Sequence, residues 1–149
     1  MTATNAAETR WGPGPWSGEP DRDQWTDPDT GLLCLAIRFP RTGHWNGYVA
    51  IPEGHPLHKI TAWNLPRLDV HCGINYAHHG DKHVSWHPGR EDGNWWIGFS
   101  CDHIGDEVPA ETAARDDFGM FAADRIYRDL RFVRAECTTL AAQIKENEK

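Results

Sequence analysis

NWWIGFSCDHIGD (residues 94–106) begins with the rhythm of a strand and ends in a row of ionisable groups. Trp95, Ile97, Phe99 and Cys101 recur at every second position, the period of a strand with one buried face. Trp96, Gly98, Ser100 and Asp102 then share the opposite face, and His103 and Asp106 follow at the strand's end. This pattern predicts a strand that packs a core on one side and presents polar chemistry on the other.

The flanking sequence extends the pattern. LLCLAIRF (32–39) alternates, with Leu33, Leu35, Ile37 and Phe39 on an apolar face and Arg38 on the other. The turn-forming PRTGHWN joins it to GYVAI (47–51), so the two read as a hairpin. LDVHCGINYA (68–77) reads as a further strand with Val70, Cys72, Ile74 and Tyr76 facing in. HHGDKHVSWHPGREDG reads as loop, with a short strand at 83–86. PAETAARDDFGMFAADR (109–125) is weakly helical or coil. In DLRFVRAECTTLAAQIKENEK, Leu130, Val133, Cys137, Leu140 and Ile144 form one stripe at helical spacing, with Asp129 placed to cap the N-terminus. Residues 1–30 form an arm rich in Pro, Gly and Trp, expected to sustain neither helix nor ladder, although Trp11, Trp16 and Trp25 imply that it packs on something.

Together these readings predict an α+β fold: an antiparallel sheet of about four or five strands with a C-terminal helix packed on one face. The expected organisation is the arm, 1–30, followed by a single domain, 31–149. Leu33, Leu35, Ile37, Val70, Ile74, Ile97, Phe99, Val133, Leu140 and Ile144 are expected to share one core.

Composition narrows the function classes. The chain has 149 residues, enough for a core without disulfide staples, and a 39% hydrophobic share with 25% charged residues, as in ordinary soluble domains. No run approaches a membrane span and the polar opening is unlike a signal peptide, so a cytoplasmic location is expected. A net charge of −7 argues against long DNA or RNA, while a single nucleotide needs only a few local cations such as Arg38. Cys34, Cys72, Cys101 and Cys137 form no CxxC pair and are expected to be reduced and free of metal; no cofactor is expected.

Eight tryptophans and nine histidines are more than packing usually asks for, and either a ligand site or a Trp-rich core with surface histidines would produce them. If 68–77 and 94–101 are neighbouring strands, His71, Gly73 and Asn75 share a face with Trp96, Gly98, Ser100 and Asp102. Gly73 and Gly98 would then form a binding floor, rimmed by His71, Asn75, Ser100 and Asp102, with Trp96 as a stacking wall. Mere bulges on a wet face would look alike. His71 and His103 fit an acid–base pair acting on a phosphodiester, with Asp102 or Asp106 orienting one imidazole. Removing either histidine is expected to abolish activity and leave the fold intact. A metal set of Cys101, His103 and His71 has no recognised spacing, and parity turns Cys101 away. A lone HVS at 83–85 is similar to half of the paired motif of two-histidine phosphoesterases, without a second copy. No phosphate loop, GxSxG or dinucleotide fingerprint is present.

VHCGINYA, WWIGFSCDHIGD and YRDLRFVRAECTTLAAQI together resemble a widespread group of small phage and prophage proteins with a VHGGLTY…WWIGFDCAHAGD signature. The resemblance spans roughly residues 31–144 and rests on His71, Gly73, Trp95, Trp96, Gly98, Phe99, Cys101, His103, Gly105 and Asp106. This chain has Cys72 in place of a glycine, Asn75 in place of a threonine and Ser100 in place of an aspartate, while Asp102 stands where alanine is common. The resemblance implies a small phage factor, in outline like those that disarm nucleotide-signalled bacterial immunity.

Functions of different classes follow as expectations. One is an enzyme that cleaves a small nucleotide-derived molecule, with His71, His103, Asp102 and Asp106 as catalytic residues and Gly73, Asn75, Trp96, Gly98, Ser100 and Arg38 as binding residues. Another is a protein, oligomeric by expectation, that sequesters such a molecule without chemistry. The plainest is a phage protein-interaction module.

Overall fold

The computed structural model describes residues 5–114 and 125–148. The alternating stretch is a strand flanked by neighbours on both sides. In chain order the elements are helix α1 (Ala6–Trp11), β1 (Arg22–Thr26), β2 (Leu33–Arg38), β3 (Trp45–Ile51), a 3₁₀ turn (Ala62–Asn64), β4 (Tyr76–His79), β5 (Trp95–Ser100), α2 (Pro109–Ala114) and α3 (Leu130–Glu146). The five strands form one antiparallel sheet in the order β1-β2-β3-β5-β4. The α+β architecture is therefore as the sequence predicts. Among the described residues no helix is long and apolar enough to cross a membrane.

α3 follows from its stripe. Asp129 caps it by accepting the Phe132 N–H at 2.8 Å, and Val133, Cys137, Leu140 and Ile144 are fully buried. They pack on Cys34, Ala36, Trp45, Val49, Ile51, Ile97 and Phe99 from the sheet, with Val70 and Ile74 at the margin.

Leu33, Leu35 and Ile37 do not join that core. Leu35 and Ile37 lie on the other face of the sheet with Tyr48, Ala50, Val84 and Trp96, and Leu33 packs against them. The physical reason is that LLCLAI is apolar at every position. Its small members, Cys34 and Ala36, let α3 approach, and its large ones need a separate cover. Residues 80–93 supply it as a loop, with no strand at 83–86. Asp81 accepts the His83 and Val84 N–H groups at 2.7 Å each, and Asp92 accepts that of Trp86 at 2.7 Å, which turns Val84 down onto the sheet.

The N-terminal stretch also departs from expectation, because it contains both a helix and a ladder. Asn5 caps α1, and β1 pairs with Leu33–Ile37 of β2, so the sheet crosses the expected boundary at residue 31. Glu19 fastens this segment to the rest. One of its oxygens accepts from Arg38, Trp45 and Tyr127, and the other accepts the Leu130 N–H at the start of α3 (2.7 Å).

The expected strand over 68–77 shrinks to Tyr76–His79. The Gly73 N–H donates to the Val70 carbonyl at 2.9 Å, with Cys72 at φ 57° and Gly73 at φ 84°, so the chain turns where alternation predicts extension. Of the weakly helical 109–125, α2 covers Pro109–Ala114, and 115–124 lie outside the described residues.

Candidate functional site

That turn lifts His71 off the sheet and delivers it to the end of β5. Its backbone N–H donates to Glu136 at 2.7 Å, and its ring packs edge-on to Phe132 at 5.2 Å, which fixes the imidazole from two sides. Its Nε2 meets both oxygens of Asp106, at 2.8 and 3.0 Å. Asp106 is only 1% exposed, and it also accepts from the His103 N–H at 3.0 Å and from Arg128 Nε at 3.0 Å. Burial alone would raise its pKa; the hydrogen bonds from His71, Arg128 and His103 outweigh burial and hold the carboxyl below the usual carboxylate range. The His71 and His103 rings stand 6.1 Å apart, edge to face. His103 Nε2 lies 3.3 Å from the Ser100 hydroxyl, which accepts from Asn75 Nδ2 at 2.6 Å.

Ser100 is shared with a pocket of about 200 Å³, whose walls include Phe39, His44, Asn46, Tyr48, Tyr76 and Asp102, with Asn75 and Ser100 at the side nearest His103. His44 is buried, with Thr42 Oγ1 at 2.5 Å from Nδ1 and Asp102 at 3.7 Å from Nε2. Burial lowers its pKa against the opposing pull of Asp102, favouring the neutral ring. Burial likewise pushes the Tyr48 hydroxyl up to about 12 and raises that of Tyr76. Asn46 Oδ1 and Tyr76 OH are buried without a hydrogen-bonding partner. Each such group costs about 1–3 kcal/mol.

His71, His103, Asp106, Ser100, Asn75 and Asp102 thus gather around one end of the sheet, although through a turn and not through strand alternation. The other expected binding residues do not join them. Gly73 belongs to the turn. Gly98 pairs in register with Tyr48 on β3 and Tyr76 on β4. A Cβ there would come within 2.4 Å of the Tyr48 ring, so the glycine makes room for a pocket wall and is no ligand floor. Trp96 is fully buried under residues 80–93, its Nε1 donating to Asp92 at 3.2 Å, and offers no stacking surface. Arg38 is buried beneath the arm, where it donates to Asp21 at 2.9 Å and to the Gly43 carbonyl at 2.7 Å and lies over the Trp45 ring. It is structural.

His44, Asn46, Tyr48 and Tyr76 were not singled out by sequence. Asn46 and His44 read as hairpin turn, and Tyr76 as inward-facing, whereas its pairing with Gly98 turns it to the pocket side. A large residue set against a glycine across two strands was the available signal.

All four cysteines are free, with Cys34, Cys101 and Cys137 buried and Cys72 exposed, contrary to its expected inward position. Desolvation and the nearby Asp106 charge raise the Cys72 pKa, so it is no activated thiolate. Among the described residues no three His, Cys, Asp or Glu side chains gather to hold a metal ion. No family model matches this chain, and no curated protein or solved structure compared with it gives a match.

Proposed function

We propose that this protein is a phage-type factor that inactivates a small nucleotide-derived signal by histidine-based phosphodiester cleavage. The observation that carries this reading is one buried carboxylate that holds the His71 imidazole and the backbone amide of His103: Asp106 meets His71 Nε2 at 2.8 Å and the His103 main-chain N–H at 3.0 Å, with the two rings 6.1 Å apart beside a pocket. An ionised Asp106 accepts the Nε2 proton of His71 and leaves the lone pair on Nδ1, the arrangement of an oriented general base. His71 then takes the proton of the attacking hydroxyl, and protonated His103 supplies one to the leaving oxygen. Arg128, at 3.0 Å from Asp106, balances the buried charge. Sequestration without chemistry is the second reading, favoured by the pocket of about 200 Å³ beside the histidines, two of whose lining residues, Asn46 and Tyr76, each carry a buried polar atom without a partner.

Incubation with cyclic dinucleotides and ADP-ribose derivatives, read by chromatography with and without chelator, tests both readings. Chelator-insensitive new products support cleavage. A ligand retained and released intact on denaturation replaces cleavage with sequestration. If every compound is neither cut nor retained, both readings fail.

A further inference from the structure

The geometry points to the pocket beside the histidines as a subsite for the amino-bearing edge of a nucleobase, adenine or cytosine, in preference to the deaminated hypoxanthine or uracil. This rests on the nucleotide reading above and names the part of the ligand that the pocket holds.

Charge comes first. Among the described residues no lysine or arginine lines the pocket, and the Asp102 carboxylate stands on its wall, so a phosphate is repelled and the uncharged end of a nucleotide is the part admitted. Burial keeps His44 inclined to its neutral form, which adds no cation. Shape agrees. Two aromatic pairs flank the space: Phe39 with His44 at 5.4 Å between ring centres, and Tyr48 with Tyr76 at 5.1 Å. Such walls suit a flat ring. The volume of about 200 Å³ exceeds a buried cavity of about 150 Å³ that accepts benzene.

Hydrogen bonding then chooses among rings. The groups lacking a counterpart include an acceptor, Asn46 Oδ1, and Asp102 is acceptor-only when ionised. Asn46 lines the pocket but its Oδ1 is buried, so the subsite requires the amide to rotate about χ2 and bring its carbonyl into the pocket when a base binds. An exocyclic amine carries two N–H donors and can satisfy both acceptors. Replacing that amine by oxygen sets lone pairs against lone pairs, which a site built for a donor rejects.

The test uses the full chain titrated calorimetrically with adenosine, inosine, cytidine and uridine, none of which has a phosphodiester to cut. Adenosine should bind about tenfold or more tightly than inosine, and cytidine than uridine, by the loss expected when a buried acceptor meets an oxo group. The Asn46 side-chain amide resonance should shift on adding adenosine to the unmodified protein. Asn46→Ala, checked for fold by circular dichroism, should bring the paired affinities together. If that variant does not fold, the amide shift decides. Equal affinities within each pair, no nucleoside binding, a preference that survives in folded Asn46→Ala, or an unmoved Asn46 amide would each overturn the subsite. Cleavage of dinucleotides without amine preference would remove the subsite alone, whereas amine preference without cleavage would remove the hydrolytic reading alone.

Discussion

Cys72 sits at φ 57° on the turn that carries His71, in a backbone region that L residues enter at a cost and glycine enters freely. Cys72→Gly should therefore stabilise the protein by about 0.5–1 kcal/mol, the relief of left-handed strain less the added freedom of the unfolded chain. A higher urea midpoint at unchanged slope would show it, and a lower midpoint would refute it. Asp106 gives a second, pH-dependent case. Its folded pKa is depressed from the ordinary 3.8, so the stabilisation is complete above that ordinary value and fades as pH falls through the folded one. Asp106→Asn, which leaves Arg128 and His71 without a charged partner, should cost about 3 kcal/mol near neutrality. The gap between variant and parent should narrow in acid. Urea midpoints measured from neutral pH into strong acid check this; a gap that widens in acid contradicts it.

Helix α3 was legible because its stripe, cap and length agree, and nothing distant was needed to recognise it. Strand β5 was legible by period 2 and the hairpin β2–β3 by its turn-forming PRTGHWN, whereas the continuous apolar run of β2 hid which face meets α3. What alternation does not encode is the partner. VHCGINY keeps the rhythm of a strand through a turn, and only the two consecutive left-handed residues, Cys72 and Gly73, reveal the break. The arm was misread for the opposite reason. RDQWT is polar because β1 is an edge strand resting on Trp25, and edge strands tolerate charge. The same limitation explains the site: residues near one strand end were found from their chemistry, while His44 and Asn46 came from across a register that sequence does not print. The arm's attachment is testable. Glu19→Ala removes one of the two carboxylates paired with the buried Arg38 and the acceptor of the Leu130 N–H, and should destabilise by about 3–5 kcal/mol. Limited proteolysis should then cut between residues 12 and 20 before the rest of the chain. Unchanged melting and an intact arm would show that Glu19 is dispensable.

With α3 on one face and residues 80–93 on the other, the sheet has little free face, and the candidate chemistry is confined to one end of it. His103 is the cleaner probe of that chemistry. His103→Ala should lower turnover on a cleaved dinucleotide by about 10²-fold with affinity little changed, as for loss of a general acid. Retained turnover would assign the acid elsewhere. His71→Ala is a mixed probe, since it also deprives Asp106 of a partner and Phe132 of an aromatic neighbour, so loss of fold is expected alongside loss of rate. The Glu19 fastening carries a consequence in time. It joins residues 108 and 111 positions apart in the chain, so it can close only once residues 127–130, at the start of α3, are present. Closures of that span come late in folding, after the β2–β3 hairpin, and contribute little to the transition state. Glu19→Ala should accordingly speed unfolding and leave the refolding limb of the chevron nearly unmoved. A nascent chain emerging from the ribosome would hold the Glu19 carboxylate against Arg38 and Trp45 alone until Tyr127 and Leu130 arrive, which makes the start of α3 the latch that closes over the N-terminal segment.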